Sequence, residues 1–527
     1  AGETAAQIVE KAKAEGTGYK ASVEQMYYGN QQFLFVYEQF DDVRLVAAPP
    51  SSIGKFGGDT DNWIWPRHTG DFSMFRVYAS KDNRPAAYSP QNVPYRPKKH
   101  FSISTKGVKE GDFTMIYGFP GNTQEYILSD AVAYIAERSD PAKIAVRTGR
   151  LDIITKAQES DPALRIHYAA KHASIANAWK KWQGEALGID RRGTVAAKFD
   201  YETQFGLWSV GRPEYAGVVM GLRAEYDRIM DAYFAYEITR ETLSTLPAAY
   251  TPEERSEECF ARRKFAEQAL WRHAFREYGR CPKVYRTPSY AEGMARYKSP
   301  EAYADALFEA VWEGSDSVAM QPAVRLREET KRMLDHISWM LGTKSLRNLN
   351  SKILNELYTT YIKGLREWDR ERAFYPDANL TLRVAYGSVA GYEYADGEYH
   401  KPQTTLDGII AKDNPEIYDY DIPQSLRDLY ASKNYGRWGT VIDGRRTVPV
   451  CFLATNHTTG GNSGSPVLNA GGELIGINFD RTWRSTMSDL QFDPAICRNI
   501  AVDIRYVLFT IDRIGGAGHL LKEMELR

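Results

Sequence analysis

The chain has 527 residues, of which 43% are hydrophobic, so it is long enough to bury a large core and to form two or more domains. Its formal net charge of -1 gives no bulk electrostatic case for binding nucleic acid or an anionic membrane. The 34 tyrosines and 11 tryptophans argue against disorder, and no apolar run approaches the ~18 residues of a membrane span.

The first part of the chain, up to about residue 125, is predicted to hold mostly short strands. It opens with AGETAAQIVEKAKAEG, which is typical of a polar amphipathic helix rather than of a signal peptide. Strand signals follow as QQFLFVYEQF, DDVRLVAAP, DFSMFRVYAS and DFTMIYGFPG, with Gly, Pro and Asn between them.

The middle part, from about residue 126 to 383, is predicted to be helical. Long segments carry apolar residues three and four apart with charges between them: PAKIAVRTGRLDIITKAQE, EERSEECFARRKFAEQALWRHAFREYG and PAVRLREETKRMLDHISWMLG. Strand signals return from about residue 384, in LTLRVAYGSVAGYEY, RTVPVCFLATN, GSPVLNAGGELIGINFD and NIAVDIRYVLFTIDRI. We therefore predict an α+β protein of two sub-barrels with an inserted helical domain, divided as 1–125, 126–383 and 384–527.

The clearest chemical signal is HTTGGNSGSPVLN, residues 457–469, which places Ser463 among glycines. Glycines allow a tight turn that exposes backbone amides, as a nucleophilic serine requires for a developing oxyanion. Two strands joined by Ala-Gly-Gly follow the serine, which predicts a hairpin. An ordinary Gly/Ser turn is the alternative, but the surrounding strands favour a chymotrypsin-like nucleophile.

An aspartate for the same site is offered by RHTGDFSMFRVYA, in which Asp71 directly precedes an apolar strand. Chymotrypsin-like enzymes have the chain order His, Asp, Ser, with the aspartate at such a position. A capping role for Asp71 at the strand end is the structural alternative.

The four cysteines are widely spaced and form no CxxC pair, so a structural zinc site is not expected. They permit three full disulfide pairings, among which the sequence does not choose. Buried free thiols are an equally good interpretation.

Four stretches together carry a family resemblance: GGDTDNWIWPRHTGDFSMFRVYA, GFPGNTQEY, SIANAWKKWQGE and TGGNSGSPVLNAGGELIGINFDRTW. They resemble the bacterial serine peptidase family that contains dipeptidyl-peptidases seven and eleven. The resemblance implies a chymotrypsin-like double β-barrel with an α-helical cap domain, and no metal or organic cofactor. It further implies a periplasmic or secreted homodimer that removes dipeptides from oligopeptides with a free N-terminus.

Site residues follow from the resemblance position by position. Ser463 matches the nucleophile, Asp71 the triad aspartate, and the backbone of Gly461 and Ser463 the oxyanion hole. The residues that match the pocket for the substrate's α-ammonium are Asn62, Trp63, Asn177 and Asp480. Without the resemblance, the alternative interpretations are that the asparagines lie in turns, the tryptophan in the core and the aspartate at a strand end.

Arg481 is the position that separates the two branches of the family. It lies just after the nucleophile hairpin, where a chymotrypsin-like fold lines its S1 pocket. The family branch with arginine here prefers Asp or Glu at P1, and guanidinium pairs with carboxylate in a bidentate fork. The chain therefore resembles the eleven type. A surface arginine is the alternative.

One element of the family pattern is missing. The family's catalytic histidine lies in an Asn-His-His-Cys-Gly-type stretch, and residues 1–60 contain no histidine. His68 precedes Asp71 by three residues and His457 precedes Ser463 by six, but neither fits the position between aspartate and serine. We expect that the chain lacks an N-terminal portion carrying this histidine.

Three functions are compatible with these patterns. The first is a serine exopeptidase that releases dipeptides with Asp or Glu at P1, of which this chain is an inactive fragment if the histidine is missing. The second is a non-catalytic peptide-binding protein that kept the cleft. The third is an acidic-specific endopeptidase of the same fold, against which the helical insert and the ammonium-binding set argue.

Overall fold

A computed structural model describes residues 2–16, 19–314, 317–342 and 349–527. The chain divides into two compact units. We call Ala1–Tyr126 with Tyr375–Arg527 the strand-rich unit and Ile127–Phe374 the helical unit. Within the described ranges, no helix combines the length and the apolar character that crossing a bilayer requires.

The strand-rich unit contains all the strands that the structure describes. They are β1 (Tyr19–Met26), β2 (Gln31–Glu38), β3 (Asp42–Ala47), β4 (Met74–Ala79), β5 (Val93–Pro94), β6 (Phe113–Gly118), β7 (Arg383–Ser388), β8 (Tyr392–Ala395), β9 (Glu398–His400), β10 (Gln403–Thr405), β11 (Thr440–Ile442), β12 (Arg445–Thr447), β13 (Pro449–Ala454), β14 (Ser465–Leu468), β15 (Leu474–Arg481) and β16 (Asn499–Asp503). Its helices are α1 (Gly2–Ala14), α2 (Ser51–Gly54), α14 (Leu406–Lys412), α15 (Gln424–Ser432) and α16 (Ile504–Phe509).

The main sheet has seven antiparallel strands in the order β10-β13-β16-β15-β14-β6-β7. A three-stranded sheet has the order β3-β4-β5, and three further pairs are β1-β2, β8-β9 and β11-β12. In the described part of the chain none of these sheets is a closed barrel, so the predicted double barrel is not seen. One isolated bridge, between Val389 and Ala454, links the end of β7 back to β13.

The main sheet encloses its own core because its central strands are apolar on both faces. Every residue of β13 is buried, as expected for its unbroken run PVCFLA. A cluster formed by Ile116, Val389, Phe452, Val467, Ile475 and Ala501 takes one side chain from each of six neighbouring segments. A larger apolar cluster packs the other strands against α14, α15 and α16. These two cores fix the ends of β14 and β15, where the candidate site lies.

The helical unit contains eleven α-helices within its described residues. They are α3 (Ser129–Ala133), α4 (Asp140–Ser160), α5 (Pro162–Arg191), α6 (Thr194–Ser209), α7 (Val218–Glu241), α8 (Pro252–Ser256), α9 (Lys264–Tyr278), α10 (Pro288–Tyr297), α11 (Pro300–Glu313), α12 (Ser317–Met340) and α13 (Lys352–Trp368). Side chains that cap their own helix start fix several N-termini, including Asp161 before α5 and Thr287 before α10. The mixed α and β character predicted from the sequence is thus confirmed.

The observed division differs from the predicted domains in two respects. The first and third predicted blocks form one compact unit, and that unit begins again at residue 375 rather than 384. The Tyr126 hydroxyl donates to the Tyr375 carbonyl (2.5 Å), and Asp377 accepts from Thr123 (2.6 Å). These bonds tie the segment after residue 374 to the strand-rich unit although it has no strand of its own.

Two predicted elements were wrong in part. The run NIAVDIRYVLFTIDRI is a strand only to Asp503, which then caps α16 by accepting from the Arg505 amide (2.9 Å). A short, fully buried apolar run has no periodicity that separates strand from helix. The predicted single helix at 253–279 is two helices, because residues 257–263 form turns between α8 and α9.

Candidate active site

The loop that carries Ser463 connects β13 to β14 and depends on glycine. Gly461 has φ 105° and Gly464 φ 82°, both in the left-handed region. A side-chain carbon at Gly461 would overlap the carbonyl oxygen of Phe119, so this segment admits only glycine. The Gly464 amide donates to the Asn478 carbonyl on β15 (2.8 Å), which holds the loop against the hairpin.

Ser463 is exposed at the tip of this loop. Its hydroxyl donates to the carbonyl of Phe479 (3.2 Å). Within the described residues, the amides of Gly461 and Ser463 donate no hydrogen bond. An exposed hydroxyl beside two amides without acceptors is the arrangement that can bind the oxyanion of an acyl-transfer intermediate.

The carboxylate of Asp71 is exposed and has no hydrogen-bond partner in the ranges that the structure describes. Desolvation by the surrounding protein raises its pKa above the ordinary value, with a further rise from the charge of Asp480, while Arg67 opposes the shift. The charge of Asp480 thus acts on the carboxyl of Asp71. Phe479, the residue before Asp480, accepts the hydrogen bond from Ser463.

Neither of the two histidines considered from the sequence bonds to Ser463 or Asp71 in the described structure. His68 is 4% exposed, and its Nε2 packs against Gly408. Burial lowers the pKa of His68 to about 3, so its imidazole is neutral and inaccessible. His457 bonds through Nε2 to the Ser488 carbonyl (2.9 Å) and stacks on Phe492. Among the residues that the structure describes, no histidine therefore contacts the candidate nucleophile.

Asp480 lies at the end of β15 and is bound on both oxygens. Oδ2 accepts from Arg67 Nη1 (2.8 Å) and from the Trp63 amide (3.4 Å), and Oδ1 accepts from the Arg481 amide (2.8 Å). The Arg67 and Asp480 side chains are 9% and 10% exposed, so this is a largely buried ion pair. Asp480 and Trp63, predicted to share a pocket, do lie together.

Arg67 is a site residue that the sequence reasoning missed. It also donates to the Asp61 carbonyl (2.8 Å) and to Thr69 (2.6 Å), which fixes the loop that carries Trp63. Arg67 could have been predicted from Asp480, because a carboxylate that is buried in a pocket requires a counter-charge. The WPRH segment supplies one in Arg67.

The two predicted asparagines occupy different surroundings. Asn62 is half-buried and adjacent to Trp63 in the loop before β4. Asn177 is exposed on α5, in the helical unit. The contact of either residue with a substrate ammonium stays a prediction.

Arg481 is 4% exposed, with its guanidinium above the Trp63 ring at 5.6 Å. It forks with Asp489, through Nη1 to Oδ1 (2.6 Å) and Nη2 to Oδ2 (3.0 Å). Nη1 also donates to Ser488 Oγ (2.8 Å) and to the Thr458 carbonyl (3.1 Å). The sequence pattern did not predict Asp489, which lies eight residues beyond Arg481, at the end of a short 3₁₀ helix.

The residues that could hold a metal lie elsewhere, in the helical unit. Ligand atoms of His167, Glu257 and Cys259 lie within 4.8 Å of one another, the sole such group among the described residues. Arg263 donates to His167 Nε2 (2.7 Å) and to Glu257 (3.3 Å). A guanidinium therefore already supplies the positive charge at this cluster.

An exposed serine beside two amides that donate no hydrogen bond within the described residues is the arrangement that a serine-type hydrolase requires. Comparison with known families agrees, since residues 1–258 and 253–526 match the family described as Peptidase S46. The chain belongs to the peptidase S46 family.

The chain is similar to several curated proteins of this family. It is 42% identical to the Asp/Glu-specific dipeptidyl-peptidase of Capnocytophaga gingivalis, over 99% of this chain and 78% of that relative. It is 35% identical to dipeptidyl-peptidase 7 of Phocaeicola vulgatus, over 97% of this chain and 76% of that relative.

The fold is similar to solved structures. The crystal structure of Porphyromonas endodontalis DPP11 matches with a TM-score of 0.86 at 33% identity, over 99% of this chain and 80% of that one. Its complex with the dipeptide Arg-Glu matches with a TM-score of 0.84 at 34% identity, over 100% of this chain and 80% of that one.

Proposed function

We propose that this protein is a serine dipeptidyl peptidase that releases N-terminal dipeptides with Asp or Glu at P1. The observation that carries the proposal is the pair of adjacent residues Asp480 and Arg481. They stand at the end of β15, directly after the Phe479 carbonyl that binds the Ser463 hydroxyl. A carboxylate for the substrate's ammonium and a guanidinium for its P1 carboxylate thus flank one nucleophile.

The relatives support the same substrate class. Curated relatives with 42% identity are named Asp/Glu-specific dipeptidyl-peptidases, and DPP11 has been solved with Arg-Glu and with Arg-Asp. Those names describe the relatives. For this chain, Arg481 is the residue that argues for an acidic P1 and against the hydrophobic P1 that the glycine-bearing branch of the family prefers.

In the proposed reaction, Ser463 Oγ attacks the carbonyl carbon of the second peptide bond; the C–N bond breaks, the remaining peptide leaves as the protonated amine, and the dipeptide stays on Ser463 as an ester. The amides of Gly461 and Ser463 stabilise the oxyanion, each donor contributing about 3 kcal/mol to the transition state. The serine proton passes to the imidazole of a histidine, and we assign to Asp71 the role of orienting that imidazole. Water then hydrolyses the ester and frees the dipeptide.

The free N-terminus is recognised by Asp480, assisted by Asn62 and the ring of Trp63. Asp480 is already paired with Arg67, so the pocket holds a neutral pair before substrate arrives. An added ammonium is then attracted to the carboxylate and repelled by the guanidinium. We infer that the carboxylate of Asp480 holds the ammonium of a free N-terminus and so favours release of a dipeptide.

At P1, a carboxylate must share or replace the partners of Arg481. The fork with Asp489 occupies both terminal nitrogens, and Ser488 and Thr458 take further bonds from Nη1. Binding therefore proceeds by exchange of acceptors on one guanidinium. Because Asp489 stays nearby, only a P1 side chain that brings hydrogen bonds of comparable quality gains from the exchange.

The remaining expectations belong to the same proposal. We infer that the main sheet, with its bridge from β7 back to β13, corresponds to the second barrel of a chymotrypsin-like pair, and that the helical unit is the domain inserted between the two barrels in sequence. A periplasmic or secreted homodimer without cofactor follows from the family resemblance.

A second candidate is a peptide-binding protein without turnover. The observation that favours it is the Ser463 hydroxyl, which bonds to a carbonyl and to no imidazole among the described residues. Both candidates predict binding of Xaa-Glu peptides, but only the first predicts acylation of Ser463.

The test measures kcat/KM for dipeptidyl substrates with Glu, Gln and Leu at P1, each with a free or an acetylated N-terminus. We expect free Xaa-Glu to exceed both free Xaa-Gln and acetylated Xaa-Glu by at least tenfold, since one charged hydrogen bond contributes ~1.5–3 kcal/mol. Equal rates on blocked and free substrates would indicate an endopeptidase. Binding without release or acyl-enzyme would indicate the second candidate.

A further inference from the structure

The helical unit contains a cavity of about 240 Å³ that the proposed chemistry does not use. The short helix Leu243–Thr245 and the residues after it form one wall, and α9 and α12 form the others. The wall residues Leu243, Leu246 and Pro247 are apolar. The interior is therefore suited to an apolar group.

One face of α12 supplies the opposite wall. Ala323, Leu326, Thr330 and Leu334 line the cavity, and their spacing of three and four residues puts them on one side of the helix. Ala323, Leu326 and Thr330 are each at most 7% exposed. The Thr330 hydroxyl donates to the Leu326 carbonyl (2.7 Å), so it offers no free donor to a ligand.

Two cations stand on the same face of α12 where it meets solvent. Arg327 and Lys331 line the cavity and are exposed, one helical turn apart. Neither forms an ion pair or a hydrogen bond with any described residue. Their neighbours on the helix differ, since Arg325 binds Glu292 and Glu329 and Arg332 pairs with Glu328. No Asp or Glu lines the cavity, so its mouth is positively charged.

A third feature lies on the α9 side. Trp271 lines the cavity and is 3% exposed, and its Nε1 has no acceptor in the described structure. A buried N–H without an acceptor is costly, and such groups are rare in native proteins. Because Trp271 lines the cavity, a ligand bound there lies beside this indole.

We propose that this cavity binds an apolar carboxylate that carries one further carbonyl, the chemistry of an acylated apolar amino acid or of a peptide's C-terminal end. The carboxylate binds Arg327 and Lys331 at the mouth, and the apolar side chain fills the space between α12 and Leu246. The carbonyl accepts from Trp271 Nε1. This site is independent of the one around Ser463 and requires no turnover.

The probes are N-acetyl-leucine, its amide, and 4-methylpentanoate, titrated calorimetrically into the 527-residue chain. The amide lacks the charge and 4-methylpentanoate lacks the second carbonyl. We expect N-acetyl-leucine to bind at least tenfold more tightly than either, because the amide loses the charge-assisted bonds to Arg327 and Lys331 and 4-methylpentanoate leaves Trp271 Nε1 without an acceptor. Equal affinity for acid and amide overturns the proposal, as does absence of binding.

Two variants locate the binding. Arg327→Gln/Lys331→Gln should weaken N-acetyl-leucine at least tenfold, whereas Arg325→Gln/Arg332→Gln removes the same charge from the same helix and should change little. Trp271→Phe should weaken N-acetyl-leucine but leave 4-methylpentanoate unchanged, a difference that a general loss of packing would not produce. Equal weakening by both double variants would reduce the site to unspecific attraction and overturn it.

A last arm separates the two sources of this ligand. A pentapeptide ending in leucine is compared with N-acetyl-leucine, and its C-terminal amide serves as the control. Tighter binding of the free-acid peptide assigns the site to peptide C-termini, and weaker binding assigns it to small acylated amino acids. Binding of the amidated peptide as tightly as the free acid would contradict both assignments.

Discussion

The two sides of the candidate active site differ in how fully their polar groups are satisfied. On the serine side, the amides of Gly461 and Ser463 and the carboxylate of Asp71 have no partner among the described residues. On the arginine side, Asp480 and Arg481 are buried in forks and backbone bonds. The described polar groups on the serine side are therefore available for new hydrogen bonds, whereas those on the arginine side must exchange the partners that they have.

This difference separates catalysis from specificity. The serine side determines the rate of acylation. Within the described residues, the proton on the Ser463 hydroxyl has no acceptor other than a carbonyl. The arginine side determines which substrates bind. A P1 side chain must form hydrogen bonds with Arg481 that are at least as favourable as those of Asp489. Changes on each side should accordingly affect different kinetic constants.

The largest effect is expected from the general base, which no described residue supplies at Ser463. We predict that the 527-residue chain alone cleaves free Xaa-Glu substrates roughly 10⁶-fold more slowly than the same chain joined to an upstream segment with the family's histidine motif. The control is Ser463→Ala in the joined protein, which should abolish turnover and fluorophosphonate labelling but keep peptide binding. Full activity of the 527 residues alone would show that His68 or His457 acts as the base.

The next effect concerns Arg481, measured in the joined protein. Arg481→Gly should lose most activity on Xaa-Glu, by about tenfold to a hundredfold for one charged hydrogen bond, and should gain activity on Xaa-Leu. Arg481→Lys should fall between, because an ammonium keeps the charge but loses the planar fork. The readout is the kcat/KM ratio of Glu to Gln at P1.

Asp489 provides the matched control for that variant. Arg481→Gly alone leaves a buried carboxylate without its partner, which costs about 3–5 kcal/mol of stability. Arg481→Gly/Asp489→Asn removes this cost, so its melting temperature should be higher while its Glu preference stays lost. A Glu preference that survives in the double variant would show that Arg481 does not set P1.

A smaller effect is expected at the ammonium pocket. Asp480→Asn keeps the shape of the side chain but removes the charge, so the ratio of rates on free and acetylated Xaa-Glu should fall by about tenfold. Most of the change should appear in KM, since the ammonium is held equally in the ground and transition states. An unchanged ratio would place the ammonium elsewhere.

The last predicted effect is on stability rather than on activity and concerns His68. Its folded pKa of about 3 lies below the unfolded value, so the unfolded chain binds the proton first and stability falls as pH drops below about 6.5. Between pH 6.5 and 5 this amounts to about 2 kcal/mol, which His68→Asn should remove. The exposed His519→Asn is the control and should leave the pH profile unchanged.

Strands and long helices were predictable from the sequence where one periodicity prevailed. The strand signals before residue 125 coincide with β2, β3, β4 and β6, and PAKIAVRTGRLDIITKAQE lies within α4. The run after Asp503 was not predictable, because a segment buried on all sides has no polar face. The seven-strand order also could not be read, since it pairs β6 with β14 across more than three hundred residues.

Within the site, the motif predicted the glycine loop and the neighbourhood of Trp63 and Asp480. It did not predict Arg67 or Asp489, because ion-pair partners are chosen by three-dimensional proximity and either acid or base can come from any loop. Asp489 in particular changes the interpretation of Arg481 from an open receptor to a paired one.

The four cysteines have a practical consequence. All are buried free thiols, with Cys451 and Cys497 in the strand-rich unit and Cys259 and Cys281 in the helical unit. Burial raises the pKa of Cys281 and of Cys497 to about 11, so these two thiols are protonated and unreactive while the chain is folded. Each unit thus contains two buried thiols that an alkylating reagent reaches when the unit opens. Alkylation followed by mass spectrometry would therefore measure the opening rate of each unit separately, without any introduced label.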